Sequence, residues 1–264
     1  MSSEGTHQMS VNFHSLVSTS GSEENFLKIF EDAFSGQNKQ FLEAHRTILT
    51  ACYRHPDLSP TIKKAKTPEE LAKSWLKKYE NGYKNRISQR ISKLPRTIAD
   101  PIISAIIQAR LTGLTTAHLE QIKYAHRLSM SAENILGLLL EEFLADKLAR
   151  HGWFCCWGES MRHVDFCNVD GSLLQVKNRS NSENSSSSRV RINQPIAKWY
   201  RVDAVNGSYQ WSYWQDKYNN DDNFSEEKFI DFVQQVLQRN PCALAVEVEN
   251  SWKSISEQSE QAQS

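Results

Sequence analysis

Two short apolar runs with a tight turn between them, at residues 163–178, constrain the fold of this chain more than any other segment. Side chains alternate across a strand, so Asp165 lies on one face of the first run, while Gln175 and Lys177 share a face of the second. Antiparallel pairing can place Asp165 opposite Gln175, which leaves a three-residue loop with Gly171 at its left-handed position. The pattern predicts a hairpin with these three polar residues on one face. An ordinary half-buried hairpin, whose polar face is simply solvated, would show the same pattern.

Periodic patterns divide the rest of the chain into helices before this hairpin and a mixed region around and after it. Apolar residues at helical spacing predict helices at 24–53, 68–128, 131–152 and 225–239. Within the second range, Asp100-Pro101 predicts a helix start, Gly113 a stop, and Thr115 or Thr116 the cap of the next helix. Short apolar runs bounded by turn residues predict strands at 153–157, 163–168, 172–178 and 242–249. This order predicts an α/β fold, in which a mixed sheet flanked by helices carries an N-terminal helical region.

Composition suggests four parts. Residues 1–22 are rich in Ser, Gly and Glu, and residues 251–264 are polar, so both ends are predicted to be disordered. Between them the sequence predicts a helical region at 23–130 and the α/β core at 131–250.

The length and the cysteine content bound the class of protein. A chain of 264 residues can bury a full core as one large domain or two small ones. No apolar run approaches the roughly 20 residues that a transmembrane helix needs, and no secretory signal is visible. The five cysteines are odd in number and lack CxxC spacing, which favours free thiols over disulfides or a metal site. We expect a cytoplasmic protein with no membrane segment.

The net charge of zero conceals a local asymmetry. Residues 59–96 hold eleven Lys and Arg against three acids, whereas residues 221–264 hold nine acids against three bases. A protein that binds nucleic acid needs local positive charge opposite the phosphates rather than a basic total. The basic segment therefore indicates either a nucleic-acid contact or a set of solvated helix faces.

The residue types of the predicted hairpin suit phosphodiester hydrolysis. Attack on the phosphate needs a deprotonated water and adds negative charge, and a hard cation held by oxygen ligands serves both needs. The block HVDFCNVDGSLLQVKNRSNSENSSSSRVR, followed by KWYR, resembles the SinI/AvaII family of type II restriction endonucleases, within the PD-(D/E)XK nuclease superfamily. The resemblance is best over residues 131–250 and implies a PD-(D/E)XK core.

The resemblance implies a role for each polar residue of the hairpin. Asp165 would be the principal ligand of a Mg²⁺ ion, the backbone carbonyl of Val176 another ligand, and Lys177 would orient the attacking water and stabilise developing charge. Members of the superfamily usually carry an acid two residues before the lysine, where this chain has Gln175. The Gln175 oxygen can bind a metal without charge, so we expect weaker cation binding, and the departure speaks against a two-metal mechanism.

The resemblance also implies a further acid from the helix before the first core strand. Glu141 lies at helical spacing from Leu144 and Leu148, and a carboxylate on an apolar helix face needs a partner, which the metal site would supply. Glu133 and Glu142 are the alternatives, although Glu142 fits a solvated stripe.

A Ser- and Asn-rich run at 178–191 follows the lysine directly. Such runs are usually flexible linkers, but this one carries arginines beside the predicted metal site. Arg and Asn can hydrogen-bond base edges, and Ser and Asn can bind phosphates. The predicted DNA contacts in this run and after it are Asn178, Arg179, Asn181, Ser182, Asn184, Arg189, Arg191, Lys198 and Arg201.

As a whole, the resemblance implies Mg²⁺-dependent cleavage of double-stranded DNA at a short palindromic site, GGWCC or a relative. A palindrome cut on both strands implies a homodimer, and a companion DNA methyltransferase would protect the host site. Two alternatives stay open: a nuclease of the same fold in repair or junction resolution, and a non-catalytic DNA-binding protein. Gln175 favours the second of these, whereas the presence of both Asp165 and Lys177 speaks against it.

Overall fold

The computed structural model describes residues 10–94, 100–180, 195–250 and 252. These residues form eight α-helices: α1 Phe13–Ser20, α2 Glu23–Ser35, α3 Glu43–Arg54, α4 Pro68–Lys84, α5 Pro101–Arg110, α6 Thr116–Leu148, α7 Ser212–Lys217 and α8 Glu226–Arg239. They also form four strands: β1 Trp153–Cys155, β2 Phe166–Asn168, β3 Leu173–Arg179 and β4 Ile196–Val202. Short 3₁₀ turns lie at Pro56–Leu58, Ala149–His151, Trp157–Glu159 and Pro241–Ala243.

The chain divides into two compact units. Unit 1 comprises residues 1–86 and 140–229, and unit 2 comprises residues 87–139 and 230–264. Helices α1 to α4 therefore belong to the same unit as the sheet, and α6 and α8 each continue from one unit into the other. The predicted boundary at residue 130, between a helical region and an α/β core, does not coincide with this division.

A four-stranded mixed sheet lies in unit 1, with the strand order β1-β2-β3-β4. The pairs β1–β2 and β2–β3 are antiparallel, and β3–β4 is parallel. The predicted mixed α/β fold is thus confirmed at this level. Strand β4 was not predicted, because its buried positions include Arg201 as well as Trp199 and Val202, and no apolar alternation marks it.

The β2–β3 hairpin has the predicted register. Phe166 pairs with Leu174, and the Asn168 N–H donates to the Ser172 carbonyl at 2.9 Å. This closes the expected three-residue loop, in which Gly171 adopts a φ of 91° that side-chain-bearing residues rarely tolerate. Strand β2 begins only at Phe166, later than predicted, because the backbone before it turns.

The larger core of unit 1 is formed by helices α1 to α4. Phe26, Phe30, Phe34 and Trp75 are fully buried there, with the rings of Phe30 and Trp75 6.1 Å apart. Burial of each phenylalanine contributes about 1.5–3 kcal/mol relative to exposure. Apolar residues from β2 and β3 join this cluster, so the N-terminal helices and the sheet form one core.

The prediction of a disordered N-terminus is wrong for the described residues 10–22. Helix α1 begins after Asn12, whose side-chain oxygen accepts the Ser15 N–H at 2.9 Å, and Phe13 and Leu16 are buried against the core. The polar composition concealed this helix because only a few apolar residues are needed to fix one short helix to an existing core.

Aromatic side chains form a second cluster of unit 1. Trp199 of β4 lies 5.1 Å from the Trp211 ring and 5.6 Å from the Trp214 ring, measured between centroids. All three tryptophans are at most 4% exposed. They are core residues and not platforms for stacking bases.

Unit 2 holds α5 and the adjoining parts of α6 and α8. The Asn240 side chain donates to the backbone carbonyls of Ile87 and Arg90 at 3.1 and 2.9 Å, and Arg127 forms an ion pair with Glu247. These contacts connect segments that lie far apart in the sequence. By contrast, α5 has no buried residue.

Several predicted boundaries are wrong. The predicted helix 24–53 is broken between α2 and α3. The starts predicted inside the range 68–128, at Asp100-Pro101 and at Thr115 or Thr116, agree with those of α5 and α6. Segment 242–249 forms a 3₁₀ turn and irregular backbone instead of a strand.

All five cysteines are free, as expected, and four of them are buried. Among the helices of the described residues, none combines the length and apolar character of a membrane span.

His45 illustrates how tightly unit 1 is packed. Its ring is 5% exposed and lies 4.8 Å from the Tyr79 ring. Its Nδ1 accepts the Leu42 N–H at 3.1 Å, at the start of α3, so the neutral ring satisfies an otherwise free helix donor. Burial lowers the pKa of His45 from 6.5 to about 4, and the nearby Glu80 carboxylate opposes this only in part.

We predict that His45 makes stability depend on pH. A histidine whose pKa is lowered by folding stabilises the protein above pH 6.5, and this contribution is lost as the pH falls toward 4. The full shift corresponds to about 3 kcal/mol. Urea unfolding at several pH values should therefore show a steeper loss of stability in the natural protein than in His45→Asn, whose oxygen can still accept the Leu42 N–H. Equal slopes in the two proteins would contradict the prediction.

Candidate active site

Asp165 is held just before β2 by hydrogen bonds to both neighbouring strands. Its N–H donates to the Leu174 carbonyl at 2.9 Å, and its carbonyl accepts the Cys156 N–H at 2.8 Å. In a regular antiparallel strand both groups of one residue face the same neighbour, so the backbone twists at Asp165. The carboxylate Oδ2 then accepts the Val176 N–H at 2.7 Å, which fixes the side chain against β3.

Gln175 and Lys177 share one face of β3. Asp165 lies beside this part of β3, because its N–H donates to the Leu174 carbonyl and its carboxylate accepts the Val176 N–H. Gln175 is buried, with 5% of its surface exposed, and Lys177 is half-buried. On the parallel neighbour β4, Lys198 is in register with Gln175, and Tyr200 is in register with Lys177. The structure therefore brings the three predicted hairpin residues together and adds two polar neighbours from β4.

Glu141 of α6 belongs to the same group. Burial raises the pKa of the Glu141 carboxyl well above its usual range, the negative charge of Asp165 raises it further, and the positive charge of Lys177 opposes the rise. Glu141 is thus close enough to both residues to interact with them electrostatically. A buried carboxyl beside a second carboxylate stays ionised only if more positive charge is brought near it.

The two other acids considered in this helix are placed differently. Glu142 accepts an ion pair from the Arg86 Nε at 3.5 Å, and both side chains are largely buried. The solvated stripe expected for Glu142 is therefore wrong, because α4 ends beside it and supplies a cation. Glu133 is exposed and belongs to unit 2. Glu141 interacts electrostatically with Asp165.

The donors of this site fit a divalent cation. Asp165 and Glu141 are two carboxyl groups whose mutual repulsion a bound cation would relieve. Oxygen ligands are those that Mg²⁺ prefers, and the Gln175 amide and backbone carbonyls are further oxygen donors beside them. Among the described residues no three His, Cys, Asp or Glu side chains converge on one point.

Arg201 and Asn178 form an internal network. Arg201 is 8% exposed, its Nε donates to Asn178 Oδ1 at 3.0 Å, and its Nη1 donates to Glu226 Oε1. Trp211 Nε1 donates to the other Glu226 oxygen at 2.9 Å. The guanidinium is committed to partners within unit 1, so this placement favours a structural role for Arg201 over the predicted phosphate contact.

The other predicted DNA contacts divide into two groups. Arg179 at the end of β3 and Lys198 on β4 are exposed, as a contact with DNA would require. The remaining predicted contacts lie outside the described residues: Asn181, Ser182, Asn184, Arg189 and Arg191.

The basic segment 59–96 contains α4. Part of its charge is used within the protein, because Lys73 pairs with Glu69 at 2.5 Å and Lys78 with Glu159 at 3.8 Å. Its proposed contact with nucleic acid stays a prediction.

The sequence analysis did not identify two charged residues that form ion pairs in this region. Glu226 pairs with Arg201, which was predicted to contact a phosphate, and Arg86 pairs with Glu142, which was predicted to be solvated. The first turn of α8 did carry a signal, since an acid at a helix N-terminus is favoured by the helix dipole. Nothing in the sequence, however, connected Glu226 with a strand 25 residues earlier.

Comparison with known proteins gives three matches. The profile of the SinI restriction endonuclease family matches residues 31–239. The chain is 32% identical over 223 residues to the type II restriction enzyme SinI of Salmonella infantis, covering 82% of this chain and 96% of that protein. It is 38% identical over 206 residues to the type II restriction enzyme Eco47I of Escherichia coli, covering 69% of this chain and 89% of that protein.

We predict that Arg201 contributes to stability rather than to binding alone. Replacing it with Met keeps the aliphatic stem but leaves Glu226 as a largely buried, unpaired charge, which should lower the free energy of unfolding by about 3 kcal/mol. The control Lys73→Met removes an exposed ion pair of α4 and should cost less than about 1 kcal/mol. Urea unfolding measures both changes, and an equal small effect of the two substitutions would show that the Arg201 network is not structural.

Proposed function

Because the chain belongs to the SinI restriction endonuclease family, we propose that it is a type II restriction endonuclease that cleaves double-stranded DNA at a short palindromic site. The observation that carries the proposal is the position of Asp165 beside Gln175 and Lys177 on the hairpin, with Glu141 close enough to interact. This combination suits phosphodiester hydrolysis, which needs oxygen ligands for a cation and a positive charge near the reacting phosphate.

The sheet and its helices support a PD-(D/E)XK core. Strands β2 and β3 form the hairpin that would carry the motif, and α6 precedes them and supplies Glu141. The parallel strand β4 follows on the side of β3 away from β2. In this core Asp165 stands for the first acid of the motif, Gln175 for the second acid, and Lys177 for the lysine.

The proposed cofactor is Mg²⁺, held by oxygen atoms. Its ligands would be the Asp165 carboxylate, the Gln175 amide oxygen and the Val176 backbone carbonyl, with Glu141 as a further acid. When bound, the cation would lower the pKa of a ligated water and neutralise charge on the phosphate. The Val176 N–H already orients Asp165 at 2.7 Å, so this ligand is positioned before any ion arrives.

Lys177 is proposed to act on the phosphate and the attacking water. The Lys177 side chain lies on the same strand face as Gln175. Its positive charge opposes the rise in the pKa of Glu141 that burial and the Asp165 charge cause. It can donate hydrogen bonds to the water and to a phosphate oxygen, which holds the nucleophile in place and stabilises charge that develops during attack. The half-buried position strengthens this effect because the surrounding water is reduced.

Sequence recognition is proposed for the segment that follows Lys177. Arg179 and the arginines at 189 and 191 would contact a site such as GGWCC, with Lys198 on the phosphates. The Asn178 side-chain oxygen accepts a hydrogen bond from Arg201, so Asn178 is left out of this set. A palindromic site implies two copies of the chain, one for each strand, and a methyltransferase that modifies the same site in the host.

One feature favours a second candidate function. Gln175 replaces the acid usual for the superfamily, as expected for a DNA-binding protein whose catalytic hairpin has decayed. The protein would then bind its site specifically without cleaving it, and binding and cleavage must be measured separately.

We predict that Asp165→Asn and Lys177→Met each reduce cleavage at least about 100-fold, the scale expected when one electrostatic group is lost from a reaction centre. Asp165→Asn keeps an oxygen that can accept the Val176 N–H, so the fold should be retained. Cleavage of a plasmid with GGWCC sites is measured with and without magnesium, and binding is measured with calcium.

Matched controls are Asp146→Asn and Lys147→Met, which remove an exposed ion pair of α6 and should leave cleavage unchanged. Full cleavage by either active-site variant would refute the assignment. Specific binding without cleavage in the natural protein would support the second candidate function.

We also predict that Gln175→Glu lowers the magnesium concentration needed for half-maximal cleavage, because it adds a charged oxygen at nearly the same volume. The control Gln40→Glu adds the same charge at an exposed position of unit 1 and should not change the titration. If the two titrations coincide, Gln175 only packs or bonds within the protein.

A further inference from the structure

A polar groove runs along one face of α4, where the helix passes the turn at Trp157–Glu159. It encloses about 430 Å³, and its lining belongs to unit 1. The lining residues from α4 recur at helical spacing, which places them on one side of the helix. The groove is lined by Ser74, Lys77, Lys78, Asn81, Gly82, Asn85 and Gly158. This feature, the α4 groove, is thus built from lysines, amides and exposed backbone.

Two glycines let α4 and the turn approach each other closely enough to form the groove. A Cβ on Gly82 would lie 2.1 Å from the Gly158 nitrogen, and a Cβ on Gly158 would lie 2.3 Å from the Lys78 carbonyl oxygen. Gly158 also has a φ of 67°, which favours glycine. The shape of the α4 groove is therefore fixed by direct contact between two stretches of backbone.

The positive charge on this side of α4 is not balanced by acids of the same helix. Within residues 74–85 the only acid is Glu80, and it pairs with Lys39 at 2.8 Å. Lys77, and Lys84 two helical turns further along, are exposed. In the part of the chain that the structure describes, neither of these lysines forms an ion pair. An anion in the groove would supply the partner that both lack.

One acid does lie beside the groove, on the turn. Glu159 pairs with Lys78 at 3.8 Å, but its side chain is 86% exposed. Water screens such a pair, so it holds Lys78 only weakly. Glu159 therefore weakens the attraction for an anion without neutralising the groove.

The α4 groove lies close to the candidate active site. The Cys156 N–H donates to the Asp165 carbonyl at 2.8 Å, and Gly158 follows Cys156 by two residues. Cα atoms of paired antiparallel residues lie about 5.5 Å apart and consecutive Cα atoms about 3.8 Å apart, so Gly158 lies within roughly 13 Å of Asp165. Phosphates of one DNA strand rise about 3.4 Å per base pair, so this distance spans about four base pairs.

The position of the groove in the sheet separates it from the proposed recognition segment. The turn at Trp157–Glu159 follows β1, whereas the recognition segment follows β3, and Lys198 lies on β4. Along the strand order these contacts lie on opposite sides of Asp165. A duplex whose reacting phosphate lies at Asp165 can therefore extend toward the groove with a part that the recognition segment does not reach.

The spacing of the lysines suits a row of phosphates. Lys77 and Lys84 are about 10.5 Å apart along the helix axis, which corresponds to about three phosphate steps of one strand. The exposed Asn81 side chain between them can donate a hydrogen bond to a phosphate oxygen. We propose that the α4 groove binds the DNA backbone outside the recognition sequence. The inference rests on the proposed function, which supplies the duplex and its position.

The first experiment measures how DNA binding by the full chain depends on salt, with calcium replacing magnesium to prevent cleavage. One duplex carries a central GGWCC sequence with about ten base pairs on each side, enough to cover the groove, and a second has the same bases scrambled. Lys77→Gln/Lys84→Gln should lower the slope of log affinity against log salt by about two, because each lost phosphate contact removes about 0.9. Both duplexes should show this change, because phosphates carry no sequence information.

The control Lys28→Gln/Lys228→Gln removes the same charge from exposed positions of α2 and α8 and should leave the slope nearly unchanged. An equal fall in slope for the two double variants would overturn the proposal, because total charge would then govern binding. An unchanged slope in the groove variant would overturn it too. Equal affinity of the natural protein for the two duplexes would count against the proposed function instead, since the slope is measured on either one.

A substitution of the neighbouring acid tests the groove in the opposite direction. Glu159→Gln releases Lys78 and removes repulsion of a phosphate, so affinity should rise about threefold, as the size of exposed charge pairs suggests. A purely structural role of this residue would give no gain. Unchanged or weaker binding by Glu159→Gln would exclude a phosphate beside Lys78.

The position of the contact on the DNA is tested by replacing single phosphates with uncharged methylphosphonates. Replacement at a phosphate outside GGWCC that lies in the groove should weaken binding by the natural protein, but not by Lys77→Gln/Lys84→Gln. Coupling found only at phosphates within GGWCC, or at none, would overturn the proposed placement outside the recognition sequence.

Discussion

The hydrogen bond from the Val176 N–H to the Asp165 carboxylate is the interaction on which the candidate site depends. The Asp165 N–H donates to β3, and the Asp165 carbonyl accepts a hydrogen bond from the segment after β1. The carbonyl therefore points away from the Val176 N–H and does not accept it. The side chain fills that position, because a buried N–H without an acceptor costs free energy. A structural requirement of the sheet thus sets the carboxylate beside Gln175 and Lys177.

The two cores of unit 1 hold this arrangement in place. The helical core joins β2 and β3 through Cys167 and Leu173, and the aromatic cluster packs around Trp199 of β4. Unit 1 also contains two largely buried ion pairs, Arg201 with Glu226 and Arg86 with Glu142. Removing one partner of such a pair leaves an unpaired buried charge, which is strongly destabilising, so each charge requires its partner to be in place.

The sequence predicted what depends on local pattern. The alternation in β2 and β3 and the left-handed position of Gly171 determine the hairpin register, which the structure confirms. It could not predict contacts that depend on distant segments, such as Arg201 with Glu226. It also missed α1 and β4, because α1 is fixed by a few core contacts and β4 buries an arginine where a strand pattern expects an apolar residue. Glu141 is an intermediate case. The helical spacing predicted that it lies on an apolar helix face, but its proximity to Asp165 depends on how the chain folds.

Gln175 also changes the electrostatic balance of the site. Glu141 and Asp165 already repel each other, and Lys177 offsets their charge only in part. A third carboxylate at the buried position of Gln175 would add to this repulsion whenever no cation is bound. The neutral amide therefore favours the metal-free protein, while it weakens the attraction for a cation. In the proposed metal site, Asp165 and Glu141 would therefore contribute more to cation binding than in a site with three acids. The Val176 N–H that orients Asp165 would be correspondingly important.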